Sequence, residues 1–146
     1  MKIRTLKIAD YEKVYALWQT ERMGLNNVDD SHSGMERFLR RNPNASFVAE
    51  IDSEIVGAIL GSHDGRRGYI YHACVSREHQ NNKIGTQLVE RVLSALKAEG
   101  ISNVTVAVYI DNDNGNRFWE QMGFRDRDFL RYKNKALVEL EWYDKY

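Results

Sequence analysis

Tyr69-Ile-Tyr-His-Ala-Cys-Val75, followed by Ser76 to Lys83 and by Ile84-Gly85-Thr86 running on to Gly100, is the stretch whose reading decides the fold. Its first part is a β-rich apolar run and predicts a strand. Its second is a polar turn without proline. Its third carries Ile84, Leu88, Val89, Val92, Leu93 and Leu96 on one stripe, with Glu90, Arg91, Lys97 and Glu99 opposite, which predicts a long amphipathic helix stopped by Gly100. A helix start presents backbone N–H groups without intrahelical partners and the positive end of the dipole, so a strand, polar loop and helix in this order make a seat for phosphate. The same residues also fit a helix start with an ordinary polar loop and no ligand.

Working outward, the 146-residue length suits one compact domain over 1–146. Lysine plus arginine and aspartate plus glutamate are 21 each, so no field of one sign draws in nucleic acid or an anionic membrane. The single cysteine, Cys74, has no partner in the chain and sits in an apolar strand, which predicts a buried thiol. No apolar run approaches the ~20 residues that span a bilayer, and Met1-Lys-Ile-Arg-Thr lacks the apolar block of a secretory signal. The expected location is cytoplasmic.

Upstream, Ile3 to Ile8 alternates like a half-buried strand, and Asp10 is the expected cap of a helix bearing Val14, Tyr15, Leu17 and Trp18. Glu21 to Ser33 is polar, and a second helix is expected from Gly34 to Arg41, the pair forming one wall of a cleft. Ser46 to Ile51 and Ile55 to Leu60, joined through Asp52-Ser53-Glu54, predict an antiparallel hairpin, with Gly61 to Gly68 a loop. Downstream, Val104 to Tyr109 reads as a strand, Arg117 to Met122 as a short helix ended by Gly123, and Phe129 to Tyr132 and Leu137 to Trp142 as closing strands. The chain shows no internal repeat.

Two segments bear a resemblance that covers nearly the whole chain. Val75-Ser-Arg-Glu-His-Gln-Asn-Asn-Lys-Ile-Gly85 and Asn112-Asp-Asn-Gly-Asn-Arg-Phe-Trp-Glu-Gln-Met-Gly-Phe124 resemble the motifs of the GCN5-related N-acetyltransferase (GNAT) family. Gln80 and Gly85 match the family's Gln/Arg-x-x-Gly-x-Gly/Ala loop, with Lys83 where its first glycine belongs. Asn112, Phe118, Gly123 and Phe124 match the second motif, with Gly115 in place of alanine and Trp119 in place of tyrosine. The resemblance implies an α/β fold: a twisted, mainly antiparallel sheet with helices on both faces and a parallel pairing of the fourth and fifth strands. It also implies acetyl-CoA as cosubstrate, its pyrophosphate held by the loop Gln80, Asn81, Asn82, Lys83, Ile84, Gly85 and Thr86. Backbone groups of Ala73, Cys74 and Val75 would hold the pantetheine arm in a gap beside the fifth strand, and Asn112 would satisfy a polar group of that arm. Of the residues that bind or cap there, Asn114 is the expected cap of the following helix.

Acetyl transfer needs a proton taken from the amine, a polarised thioester carbonyl and a place for the departing thiolate. His72, with an ordinary pKa near ~6.5, suits the first, or is structural. Glu50, Asp64 and Asp111 are further candidates. In many relatives the tyrosine replaced here by Trp119 protonates the thiolate, which indole is too weak an acid to do. Trp119 then lines the pocket or packs, and Tyr109, Tyr71 or water takes over. Tyr69 and Tyr71 are expected on the face opposite Ile70 and His72, and which face meets the cleft depends on a bulge. No metal is invoked. The expected function is N-acetylation of a primary amine of a small molecule or peptide by direct attack, in a possible homodimer. The alternatives are a non-catalytic acyl-CoA-binding sensor or scaffold, and an interaction protein without a cofactor site. Lysine at a glycine position is the departure that bears most on the loop, because glycine there usually marks positive φ, and Asn81 and Asn82 are suited to share that conformation.

Overall fold

The computed structural model describes residues 1–144. Five strands, β1 (Lys2–Thr5), β2 (Phe47–Ile51), β3 (Glu54–His63), β4 (Gly68–Val75) and β5 (Val104–Val106), lie in one sheet in sequence order. Every neighbouring pair is antiparallel except β4 and β5, which run parallel. A parallel pair needs a crossover, and α3 (Ile84–Ala98) supplies it. The β2–β3 turn is Asp52–Ser53, with φ of 50° and 66°; both residues in the left-handed region make a turn whose twist matches that of the strands it joins.

Helices cover both faces. On one, Ile84, Leu88, Val89, Val92 and Leu96 of α3 bury against Phe47, Ala49, Ile59 and Ile70, together with Trp119 of α4 (Asp113–Gln121). On the other, α1 (Tyr11–Trp18) and α2 (His32–Arg41) bring Val14, Leu17, Trp18 and Met35 against Val48, Ala58, Leu60 and Cys74. Each fully buried aliphatic of the α3 stripe contributes about 1.5–3 kcal/mol, so the stripe outweighs the local preferences of the loop that feeds it.

Several expectations need correction. Asp10 does not cap α1 with its side chain: its carboxylate accepts from Arg4 at 2.8 Å on each oxygen and from Lys7 N, ending a short 3-10 turn over Ile8–Asp10. The Arg4 hydrogen bond, ahead of the opposing effect of burial, holds the Asp10 carboxyl below its usual range. α2 begins before Gly34, because Ser31 accepts from Gly34 N at 3.0 Å and caps it. β3 runs on to His63, shortening the expected loop, and β5 ends at Val106. α4 starts at Asp113 because its cap is Asn112, whose side chain accepts from Gly115 N; Asn114 instead accepts from Arg117.

The expected closing strands at 129–132 and 137–142 are absent apart from one bridge, Asn26↔Trp142. Phe129, Leu130, Tyr132 and Leu137 are exposed there. A β-rich sequence becomes a strand only with a ladder partner and a face to bury. The chain end instead fastens to the α1–α2 connection: Asn27 N donates to Glu141 O, Tyr143 N to Leu25 O, and the Asp144 carboxylate accepts from the amides of Met23 and Leu25.

Candidate active site

The centre of β4 is irregular. Ala58 stands opposite Cys74 and Leu60 opposite Tyr71, so His72 and Ala73 share the place facing Ile59, and His72 has φ of 49°. The extra residue of this bulge resets the side-chain alternation. Tyr69 and Tyr71 stack at 5.6 Å, and Phe38 of α2 meets Tyr71 edge-on. His72 therefore faces the α1–α2 side with the tyrosines rather than opposite them, its ring 4.8 Å from that of Trp18 and edge-on to it. Ala73 and Val75 pack on the α3 side, as Ile70 does. Cys74 faces α1, and burial, then Glu21, pushes its thiol up to about 12.

The other edge of β4 is only partly paired. Gly68, Tyr69 and Ile70 match Val104, Thr105 and Val106, and the β5 ladder stops there. Residues 71–75 thus have no partner on β5, and that edge of the β4 backbone is left without a ladder. Just past it, Ser76 N donates to Val56 O and Gln80 Nε2 to Val75 O, folding the polar loop back against the strand end. Asn81 and Lys83 adopt φ of 68° and 61°. Lysine thus takes a left-handed conformation of the kind glycine favours, with Asn81 sharing the turn, at a cost on the order of 1–3 kcal/mol per such residue. No side chain caps α3, whose first helical bond is Gln87 N to Lys83 O, so the amides of 84–86 point out of the helix start. At Gly85 an added Cβ would meet the Phe118 ring at 3.5 Å, so bulk there runs toward α4.

Of the sequence-derived residues, 72–75 and 80–86 thus form one continuous arc from the bulge to the head of α3. Asn112 keeps Nδ2 while its oxygen caps α4. Trp119 is 8 % exposed and wedged edge-on between Phe118 and Phe124, in the core beneath α3. Tyr109 lies under the Arg22 guanidinium at 4.1 Å and against Gly24 of the α1–α2 connection, where a Cβ would come 2.8 Å from its hydroxyl. Burial, then Tyr69, Tyr132 and Asp29, raises the Tyr71 phenol. Glu50 is ion-paired to Arg4. Asp64 accepts from the amides of Arg66 and Arg67, and Asp111 from Arg22 at 2.6 Å; these bonds hold both carboxyls below their usual range.

Sequence reasoning missed Asp30. From the α1–α2 connection it places Oδ1 2.7 Å from His72 Nε2, with both side chains largely buried. The available signal was the density of asparagine and aspartate over residues 26–30, residues that bind backbone amides and order loops.

Residues 10–124 match the family described as Acetyltransferase (GNAT) family. The chain is 31% identical over 143 residues to an acetyltransferase of Sodalis glossinidius, covering 98% of this chain and 100% of that one. It resembles Ard1 from Thermoplasma volcanium at 25% identity, with a TM-score of 0.73 over 85% of this chain and 82% of the other. It is also similar in fold to the PaiA N-acetyltransferase from Thermoplasma acidophilum, a structure in complex with coenzyme A, at 21% identity and a TM-score of 0.74 over 87% and 91%. Among the described residues, no helix is long and apolar enough to cross a membrane.

Proposed function

Because the chain belongs to the GNAT family of acetyltransferases, we propose that it transfers the acetyl group of acetyl-CoA to a primary amine of a small molecule or peptide by direct attack. The observation that carries this reading is the edge of β4 that β5 leaves unpaired beyond Ile70, leading to an uncapped helix start behind a left-handed loop. The amides of 84–86, with Gln80, Asn81, Asn82 and Lys83 around them, suit a pyrophosphate, since several donors converge and the dipole favours the charge. The backbone of Ala73, Cys74 and Val75 suits the pantetheine arm and the thioester carbonyl, and the free Nδ2 of Asn112 is a donor for the arm.

In the reaction the amine lone pair forms the N–C bond, the carbonyl oxygen takes up charge against β4 amides, and the C–S bond breaks with its pair on sulfur. The proton lost by the amine goes to His72, directly or through water, and from there to solvent. Thiolate leaves without needing a strong acid, since a thiol pKa near ~8.5 makes it a tolerable leaving group. Water protonates it: Trp119 is a packing residue, Tyr109 is covered by the Arg22 guanidinium, and the raised Tyr71 phenol is a weaker donor than an ordinary tyrosine.

Thiol release from acetyl-CoA over polyamines, amino acids, aminoglycosides and peptide N-termini tests the reading. Amine-dependent release that falls about 10²–10⁴-fold in His72→Gln, with coenzyme A binding intact, is expected. Saturable coenzyme A binding without release across that panel would instead make the protein a sensor.

A further inference from the structure

We propose that Asp30 is a positioning residue for catalysis: it fixes the tautomer and orientation of His72 so that Nδ1, and not Nε2, receives the amine's proton. This rests on the reading of His72 as the proton acceptor.

The geometry is specific. His72 Nε2 lies 2.7 Å from Asp30 Oδ1, and the other carboxylate oxygen, Oδ2, accepts from Asn26 N at 2.9 Å. The backbone carbonyl of Asp30 accepts from the Tyr11 hydroxyl at 2.6 Å, so α1 clamps the same residue. Asn26 is itself fixed, its Oδ1 accepting from Val28 N and Asp29 N and its Nδ2 donating to Asp29. A carboxylate only accepts hydrogen bonds, so Nε2 of a neutral His72 must carry the proton and Nδ1 the lone pair. Nδ1 bonds no described residue, and Trp18 Nε1 is the one buried side-chain nitrogen or oxygen among them lacking a partner; Nδ1 therefore reaches solvent. The Trp18 edge holds the ring from the third side.

The backbone argues that the pair serves more than loop closure. His72 sits at φ of 49° inside β4, a conformation a histidine holds only when its surroundings over-determine it, and such strain gathers at functional sites. The bulge that imposes it turns the ring toward Asp30 while the next residues, Ala73 to Val75, lie on the edge that β5 leaves unpaired. One distortion thus sets both the base and the strand edge proposed to hold the thioester. The role is that of a residue orienting a general base from behind, with Asp30 neither touching substrate nor taking the proton.

The test uses the full chain. In 15N spectra of the imidazole, wild type is expected as the Nε2–H tautomer at high pH. Asp30→Asn is expected to turn it over, because the new amide donates to Nε2 and drives the proton to Nδ1. That variant should lose kcat about 10²–10⁴-fold, the range general-base catalysis supplies, while its Kd for coenzyme A changes less than about twofold. Rates are read with the best amine of the panel, or as acetyl-CoA hydrolysis if none reacts. Asp30→Glu, which keeps the acceptor, should restore the Nε2–H tautomer and part of the rate, and it serves alone if Asp30→Asn does not fold. Wild-type protein in the Nδ1–H form overturns the proposal. So does Asp30→Asn at wild-type kcat, or an Asp30→Glu with mixed tautomers and full kcat. If His72→Gln turns over normally, the base reading fails and this role falls with it; if His72→Gln is dead and Asp30→Asn is not, the Asp30 role alone fails.

Discussion

The two walls proposed to hold the cofactor and the acceptor are built in opposite ways. The cofactor wall, from the β4 bulge through the left-handed loop to the head of α3, is a single run of chain, and its shape follows from residues close together in sequence. The acceptor wall, residues 21–31, is a polar connection with no helix or strand of its own, held from outside by Tyr11, His72, Glu141, Tyr143 and Asp144. Local chemistry suffices for the first, and only tertiary contacts define the second. A helix start suits a phosphate by its own local geometry, whereas an acceptor site on this connection has to be assembled from distant parts of the chain.

The largest effect should come from Trp119→Ala, which removes a ring buried beneath the cofactor wall; denaturant unfolding should report a loss of about 3–5 kcal/mol. A much smaller loss would mean that wall does not rest on this core. Next, Gly85→Glu puts a carboxylate at the helix start and bulk toward Phe118, and should weaken coenzyme A about a hundredfold or more by calorimetry while the fold persists. Unchanged affinity would place the phosphates elsewhere. On the other wall, Asp144→Ala removes the acceptor of the Met23 and Leu25 amides, charge-assisted bonds worth about 1.5–3 kcal/mol. It should raise KM for the amine and leave coenzyme A affinity alone; equal effects on both ligands would erase the distinction between the walls.

Lys83 gives the smallest and sharpest contrast. If its ammonium meets a phosphate, Lys83→Ala should weaken coenzyme A about tenfold at low salt and less at high salt. Lys83→Gly should regain part of that affinity and gain about 1 kcal/mol of stability, since glycine carries no penalty at φ of 61°. Equal affinity of wild type and Lys83→Ala at both salts would leave the backbone amides as the only phosphate ligands.

The fold was legible because its signals are periodic. The α3 stripe and the β2–β3 hairpin follow from spacing and stand as expected, with Glu54 already in β3, and the parallel fourth and fifth strands stand as the family resemblance implied. The left-handed loop was also legible in part, through Lys83 at a family glycine position and through Asn81, although Asn82 does not share that conformation. What was hidden depends on partners far along the chain. The bulge at His72 has no glycine to mark it, so simple alternation put the histidine on the wrong face. Asp30 is 42 residues away from His72, and nothing in a polar loop says which of its aspartates turns inward. Asp10 looked like a cap because only the fold brings Arg4 to it. The segments 129–132 and 137–142 have the composition of strands, but the three-residue β5 gives them no ladder.

Backbone amide NMR of the full chain titrated with coenzyme A tests the central claim most directly. The account predicts that the largest shifts fall on the amides of residues 81–86 and 73–75, with residues 21–31 little changed until an amine is added. Saturable binding that moves other amides and leaves both of those segments untouched would contradict it.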